Sequence, residues 1–123
     1  MKMNTYQQKI LELAVEDVYG LWEILWRLQS EFPNSSTADL RQTAESALRG
    51  LLRKGWISVG RRSGAAGETA PLRPAETEAA LVDRKNWDEP ALDARQVVVG
   101  ATAEGERIYY GDQLGVSTEE GRS

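Results

Sequence analysis

Apolar residues recur at helical spacing through the first half of the chain and change period in the second. Tyr6, Ile10, Leu13 and Ala14 share one helical face, with Asn4 or Thr5 placed to cap it. EDVYG at 16–20 breaks the pattern, with Gly20 as its punctuation. Leu21, Ile24, Leu25, Leu28 and Phe32 form the apolar stripe of a second helix, and Trp22 and Trp26 form a second stripe beside it. In FPNSST at 32–37, Pro33 and Asn34 end that helix and Ser36 or Thr37 can cap the next. The third helix is the clearest element: Leu40, Ala44, Ala47, Leu48, Leu51 and Leu52 sit on one face, and Gly55 fits the left-handed position just past its end.

From Trp56 onward the period shortens. WISVGRR at 56–62 sets Ile57 and Val59 against Trp56, Ser58 and Gly60, the alternation of a short half-exposed strand. SGAAGETAP at 63–71 has loop composition. Pro74 suits a first helical position and predicts a short helix through AETEAALVD. RKNWDEPALDA reads as irregular, and RQVVVGA at 95–101, with three consecutive valines, as the best strand. Thr102 caps a last helix, TAEGERIYY, which Gly105 weakens. These elements predict a mainly α chain with a small β-hairpin, of class α+β. It forms one domain over 1–111, with an insertion at 63–96 and a flexible polar tail at 112–123.

Charge changes the picture most. The chain carries −4, yet residues 37–62 hold six basic against two acidic groups, a surplus of four positive charges between acidic flanks. Part of this has a local cause, because Arg53 and Lys54 fall in the last turn of the third helix, where the helix dipole favours cations. Cysteine and histidine are both absent. That removes disulfides, the usual zinc ligands, Ser-His-Asp and Cys-His catalysis, and the commonest general base. VVVGATAEG carries no P-loop lysine and no dinucleotide fingerprint, so no cofactor and no metal are expected. The adjacent pairs Glu104 with Glu106, and Asp88 with Glu89, read as solvated charge. An enzyme is not expected. No stretch approaches the ~20 apolar residues of a membrane span, and MKMNTYQQKILEL lacks the apolar run of a signal peptide. The expectation is a soluble cytoplasmic protein without membrane contact.

Three segments carry a resemblance. ILELAVEDVYGLWEILWRL at 10–28, with Gly20-Leu21-Trp22-Glu23 at the helix start, resembles the first two helices of PadR-type regulators. ALRGLLRKGWISVGRR at 47–62 is similar to the third helix and first wing strand of PadR and MarR relatives. VVVGATAEGERIYY at 97–110 resembles their second wing strand and following helix. The three cover about half of the chain, in the right order. The resemblance implies a winged-helix fold: three helices, a two-stranded wing and a short C-terminal helix. Two features depart from it: a long insertion separating the wing strands, and the acidic balance of the chain.

The resemblance also implies roles. The third helix would enter a DNA major groove and the wing would touch the backbone, as in a transcriptional regulator. By position, Arg41, Gln42, Ser46, Arg49 and Arg53 would face the groove, with Glu45 an unhelpful neighbour. Lys54, Arg61 and Arg62 would meet phosphate. Such a surface requires one contiguous positive patch joining Arg49, Arg53, Arg61 and Arg62, and it fails if residues 72–87 fold over that helix face. Trp22 and Trp26 are candidates for an interface, either with a second copy in a homodimer or with another protein. The composition of the insertion adds a further expectation: Leu72, Ala79, Ala80, Leu81, Val82 and Trp87 look like a small lid packing on the wing, either as a ligand or partner site or as a cover for a sheet edge. The competing reading is a protein-interaction module, an adaptor or an antitoxin-like immunity protein, on the same scaffold and without DNA. It requires Trp22, Trp26 or Trp87 to be exposed.

Overall fold

The computed structural model describes residues 3–63, 68–90 and 95–118. Five helices and four strands follow in the order α1 (Thr5–Glu16), β1 (Tyr19–Gly20), α2 (Leu21–Glu31), α3 (Thr37–Arg53), β2 (Ile57–Ser63), β3 (Thr69–Pro71), α4 (Pro74–Val82), β4 (Arg95–Ala101) and α5 (Ala103–Thr118). A 3-10 turn at Arg84–Trp87 lies between α4 and β4. The chain is thus α+β, with helices dominant and one small antiparallel sheet. None of the described helices is long and apolar enough to cross a membrane.

The helix boundaries have local causes. Asn4 caps α1 by accepting from the Gln7 amide, while Gln7 Oε1 accepts from the Asn4 amide. Ser36 caps α3 through the Asp39 amide. Gly55 ends α3 with φ +75°, a conformation that L side chains resist. Glu23 and Glu76 reach back to the amides of Gly20 and Arg73 and hold the starts of α2 and α4.

The strands lie in the order β1-β4-β2-β3, all neighbours antiparallel. A sequence-expected hairpin of two strands therefore becomes a sheet of four. Both extra strands are very short. Tyr19–Gly20, read from sequence as a break between helices, pairs with Val99 and Val98. Thr69–Pro71, within the stretch read as a loop, pairs with Gly60, Arg61 and Arg62. Residues 64–67 and 91–94, which include parts of the expected loop and irregular segment, fall outside the described residues.

Ile57 and Val59 of β2 and Val97 and Val99 of β4 point to one side of the sheet and join a core with Ile10, Leu13, Leu21, Ile24, Leu28, Leu40, Leu48 and Leu51 from the first three helices. Helices α1, α2 and α3 cover this side of the sheet. The insertion belongs to the same core. Ala80, Leu81 and Trp87 are buried in it, and the 3-10 turn packs on α2. The Trp87 indole donates to the Leu81 carbonyl at 2.9 Å and the Asn86 amide group to the Ala80 carbonyl at 2.9 Å, which locks the turn onto the end of α4. Of the expected lid residues, Leu72 is half-buried while Ala79 and Val82 face solvent.

Gly105 has a structural role that helical spacing does not reveal. The Thr102 hydroxyl caps α5 by accepting from the Gly105 amide at 3.0 Å, while itself donating to the Gly55 carbonyl at 2.7 Å. A Cβ at Gly105 would run into the Trp56 carbonyl. The glycine lets α5 start directly on the turn after α3. The backbone of α5 then continues to Thr118, so helix extends into the stretch that the composition assigns to a polar tail.

Candidate functional site

Two surfaces collect the residues that sequence singles out. The first is the face of α3. Arg41, Glu45 and Arg49 follow at i, i+4 spacing, and Glu45 is buried between the two arginines. Its carboxylate binds Arg41 at 2.7 Å and Arg49 at 3.5 Å. Arg49 continues to Glu78 of the insertion with a two-pronged contact, Nε to Oε1 at 3.0 Å and Nη2 to Oε2 at 2.6 Å. The hydrogen bond to Glu78 holds the Arg49 guanidinium above its ordinary pKa, and the same bond holds the Glu78 carboxyl below the usual carboxylate value. Two guanidiniums and two carboxylates form one linear chain with no net charge.

A cleft of about 430 Å³ separates α3 from the insertion, with Leu52, Ile57, Val59 and Leu72 in its walls. Arg49 and Glu78 both line it, so their contact bridges the gap between the two elements. Arg53 also lines this cleft, is exposed, and forms no ion pair among the described residues.

The remaining groove and wing candidates are scattered. Gln42 and Ser46 are exposed on α3. The Lys54 ammonium lies 5.4 Å from the Trp56 ring centre. Arg61 and Arg62 are consecutive strand residues and therefore point to opposite faces of the sheet. Arg61 lies opposite Val97, on the side that carries the core, and Arg62 opposite Gln96, on the other side. The required contiguous patch of Arg49, Arg53, Arg61 and Arg62 is not assembled: one member is bound by Glu78, and two diverge.

The second surface is the outer side of α2. Trp26 is 62% exposed, the most exposed of the large apolar side chains described. Trp22 is half-buried, with its indole donating to Gln96 Oε1 of β4 at 3.2 Å. Trp87 is almost fully buried, with its indole bound to Leu81 as above. Together with Leu25, Gln29, Thr37, Asp88 and Glu89, these three tryptophans line a cleft of about 540 Å³. Its far wall is firm, because Gln29 donates to Thr37 Oγ1 at 2.7 Å across the α2–α3 junction. Asp88 and Glu89 are exposed and form no ion pair among the described residues.

Sequence reasoning named Trp22 and Trp26 and missed what completes both surfaces. Glu78 lies 29 residues from Arg49, and nothing in a single sequence couples them. The Asp88-Glu89 pair is exposed, as expected of solvated charge, but it stands beside tryptophans that are distant in the chain. No family model, no curated protein and no solved structure matches this chain.

Proposed function

We propose that the chain is a winged-helix scaffold used for protein recognition, and that its third helix does not read a DNA groove. The order of three helices followed by the antiparallel strands β2 and β4 supports the scaffold. The ion chain Arg41–Glu45–Arg49–Glu78 carries the functional part. DNA affinity rests largely on replacing phosphate counterions with lysine and arginine. Here the two arginines at the centre of this α3 face are each met by carboxylates, one of them buried. Space argues the same way. A major groove of about 12 Å takes a single helix of about 10–12 Å. An insertion helix bonded to Arg49 would have to leave before α3 could enter.

A second reading, DNA contact through the wing side, is favoured by Arg53, Arg61 and Arg62, which form no ion pair among the described residues. Fluorescence anisotropy of a mixed-sequence duplex, at a low and a physiological salt concentration, separates the two. The protein-recognition reading expects no binding at either. Tight binding that weakens steeply with salt overturns it and restores the regulator.

A further inference from the structure

We propose that the tryptophan-lined cleft of α2 is a docking site for an arginine-bearing segment of a partner protein. The proposal rests on the protein-recognition reading and names the chemistry of its partner. The cleft combines three features. It has an aromatic wall, Trp22 and Trp26, one turn apart on the same helix. It has a fixed floor, Trp87, whose indole is committed to Leu81. It has two carboxylates at its rim, Asp88 and Glu89, with no basic partner among the described residues.

A guanidinium suits this arrangement better than other occupants. It stacks on indole faces while keeping its N–H edge free, and it is weakly hydrated, so burying it is less costly than burying an ammonium. The rim carboxylates then accept from that edge in paired geometry. Trp26 has no hydrogen bond among the described residues and high exposure, so it is the wall free to close on the ligand; Trp22 and Trp87 are tethered. The same pairing occurs within the molecule, where the Arg27 guanidinium lies 5.6 Å from the Tyr19 ring centre.

The carboxylates also argue against the other occupants. A two-fold dimer through this surface would need a basic group of the second copy to reach Asp88 and Glu89, and no lysine or arginine lines the cleft. Nucleic acid and anionic membrane surfaces would meet two carboxylates that form no ion pair among the described residues. A basic protein segment meets complementary charge, in keeping with the chain's net −4.

The test uses the full chain, labelled with nitrogen-15, and reads the four indole N–H signals. The probe is a capped pentapeptide with two arginines among glycines; the control carries glutamates in their place. The arginine peptide should move the Trp22 and Trp26 signals saturably and leave Trp56 in place, while the control moves nothing. Trp26→Ala should weaken binding at least tenfold. The isosteric pair Asp88→Asn with Glu89→Gln should weaken it about three- to tenfold and flatten its salt dependence. Both changes are at exposed positions and leave the core intact. Unmoved Trp22 and Trp26 signals at millimolar peptide overturn the proposal, as does an equal response to the glutamate control. Movement on raising the protein concentration alone also overturns it, because the occupant would then be a second copy. A parallel titration with duplex DNA keeps the two failures apart. Salt-sensitive duplex binding removes the protein-recognition reading of the scaffold, whereas an unresponsive cleft removes only the docking site.

Discussion

The insertion between β2 and β4 supplies carboxylates to two faces of the molecule, and the outcomes differ. On α3, Glu78 meets an arginine and completes an ion chain whose charges cancel. On α2, Asp88 and Glu89 meet tryptophans, and their charge is left over. The first face is therefore rich in arginine but poor in available charge. The second is poor in charged residues yet presents a net negative rim beside a large exposed aromatic. What a surface can bind depends on which of its groups are already spent internally. The number of charged residues in a segment of sequence does not give that.

This contrast needs the insertion to be a fixed part of the fold, which Leu81 tests with the largest expected effect. Leu81 is fully buried and belongs to the same core as the first three helices. Leu81→Ala should cost ~2–5 kcal/mol in a urea unfolding experiment, the range for truncating a core leucine. A loss close to zero would mean that the insertion is an appendage, and neither face would then be constant.

Next comes the ion chain itself. Glu45→Ala removes the carboxylate shared by Arg41 and Arg49 and should destabilise the chain by about 1–3 kcal/mol. Combined with Glu78→Ala it leaves both arginines without their partners. If internal compensation is what silences this face, the double variant should bind duplex DNA more tightly than the parent does, and with a steeper salt dependence. A double variant as inert as the parent would mean that shape, rather than charge, keeps DNA away. Trp26→Ala sharpens the other side of the contrast. Its exposure predicts a change in stability within about 0.5 kcal/mol, together with loss of binding to the arginine peptide. A larger destabilisation would show that Trp26 serves packing after all.

The elements with sustained periodicity were legible in the sequence, and so were their caps. The stripe from Leu40 to Leu52, the asparagine and serine before α1 and α3, Gly55, Pro74 and the three valines of β4 each act through neighbours a few residues away. Tyr19–Gly20 and Thr69–Pro71 were not legible, because two or three residues cannot display an alternation. They become strands only because β4 and β2 offer an edge to pair with. Gly105 looked only like a weak point of the last helix because its reason lies in the Trp56 carbonyl, nearly fifty residues away in the chain. The candidate site divides the same way. The tryptophan stripe follows from helical spacing within α2, whereas the pairing of Arg49 with Glu78 and the approach of Asp88 and Glu89 to Trp26 depend on where the insertion returns.

The smallest expected effect tests whether the bridge between α3 and the insertion holds in solution. The hydrogen bond from Arg49 lowers the Glu78 pKa below its ordinary value. For a carboxylate shifted downward on folding, the stabilising contribution is complete above the unfolded pKa, about 4.3 for glutamate. It is lost as the pH falls through the folded value. The difference in unfolding midpoint between the parent and Glu78→Gln should therefore stay constant from neutral pH down to about 5 and shrink only below about 4.3. The contact is solvent-exposed, so the difference should be small and should fall further with added salt. The sharper measurement is the carboxyl titration of Glu78 by NMR in the parent and in Arg49→Ala. A bridge that persists in solution requires the titration to move upward when Arg49 is removed. A titration that stays where it was would mean that the cleft stands open, and that Arg49 is free to meet a ligand on the α3 face.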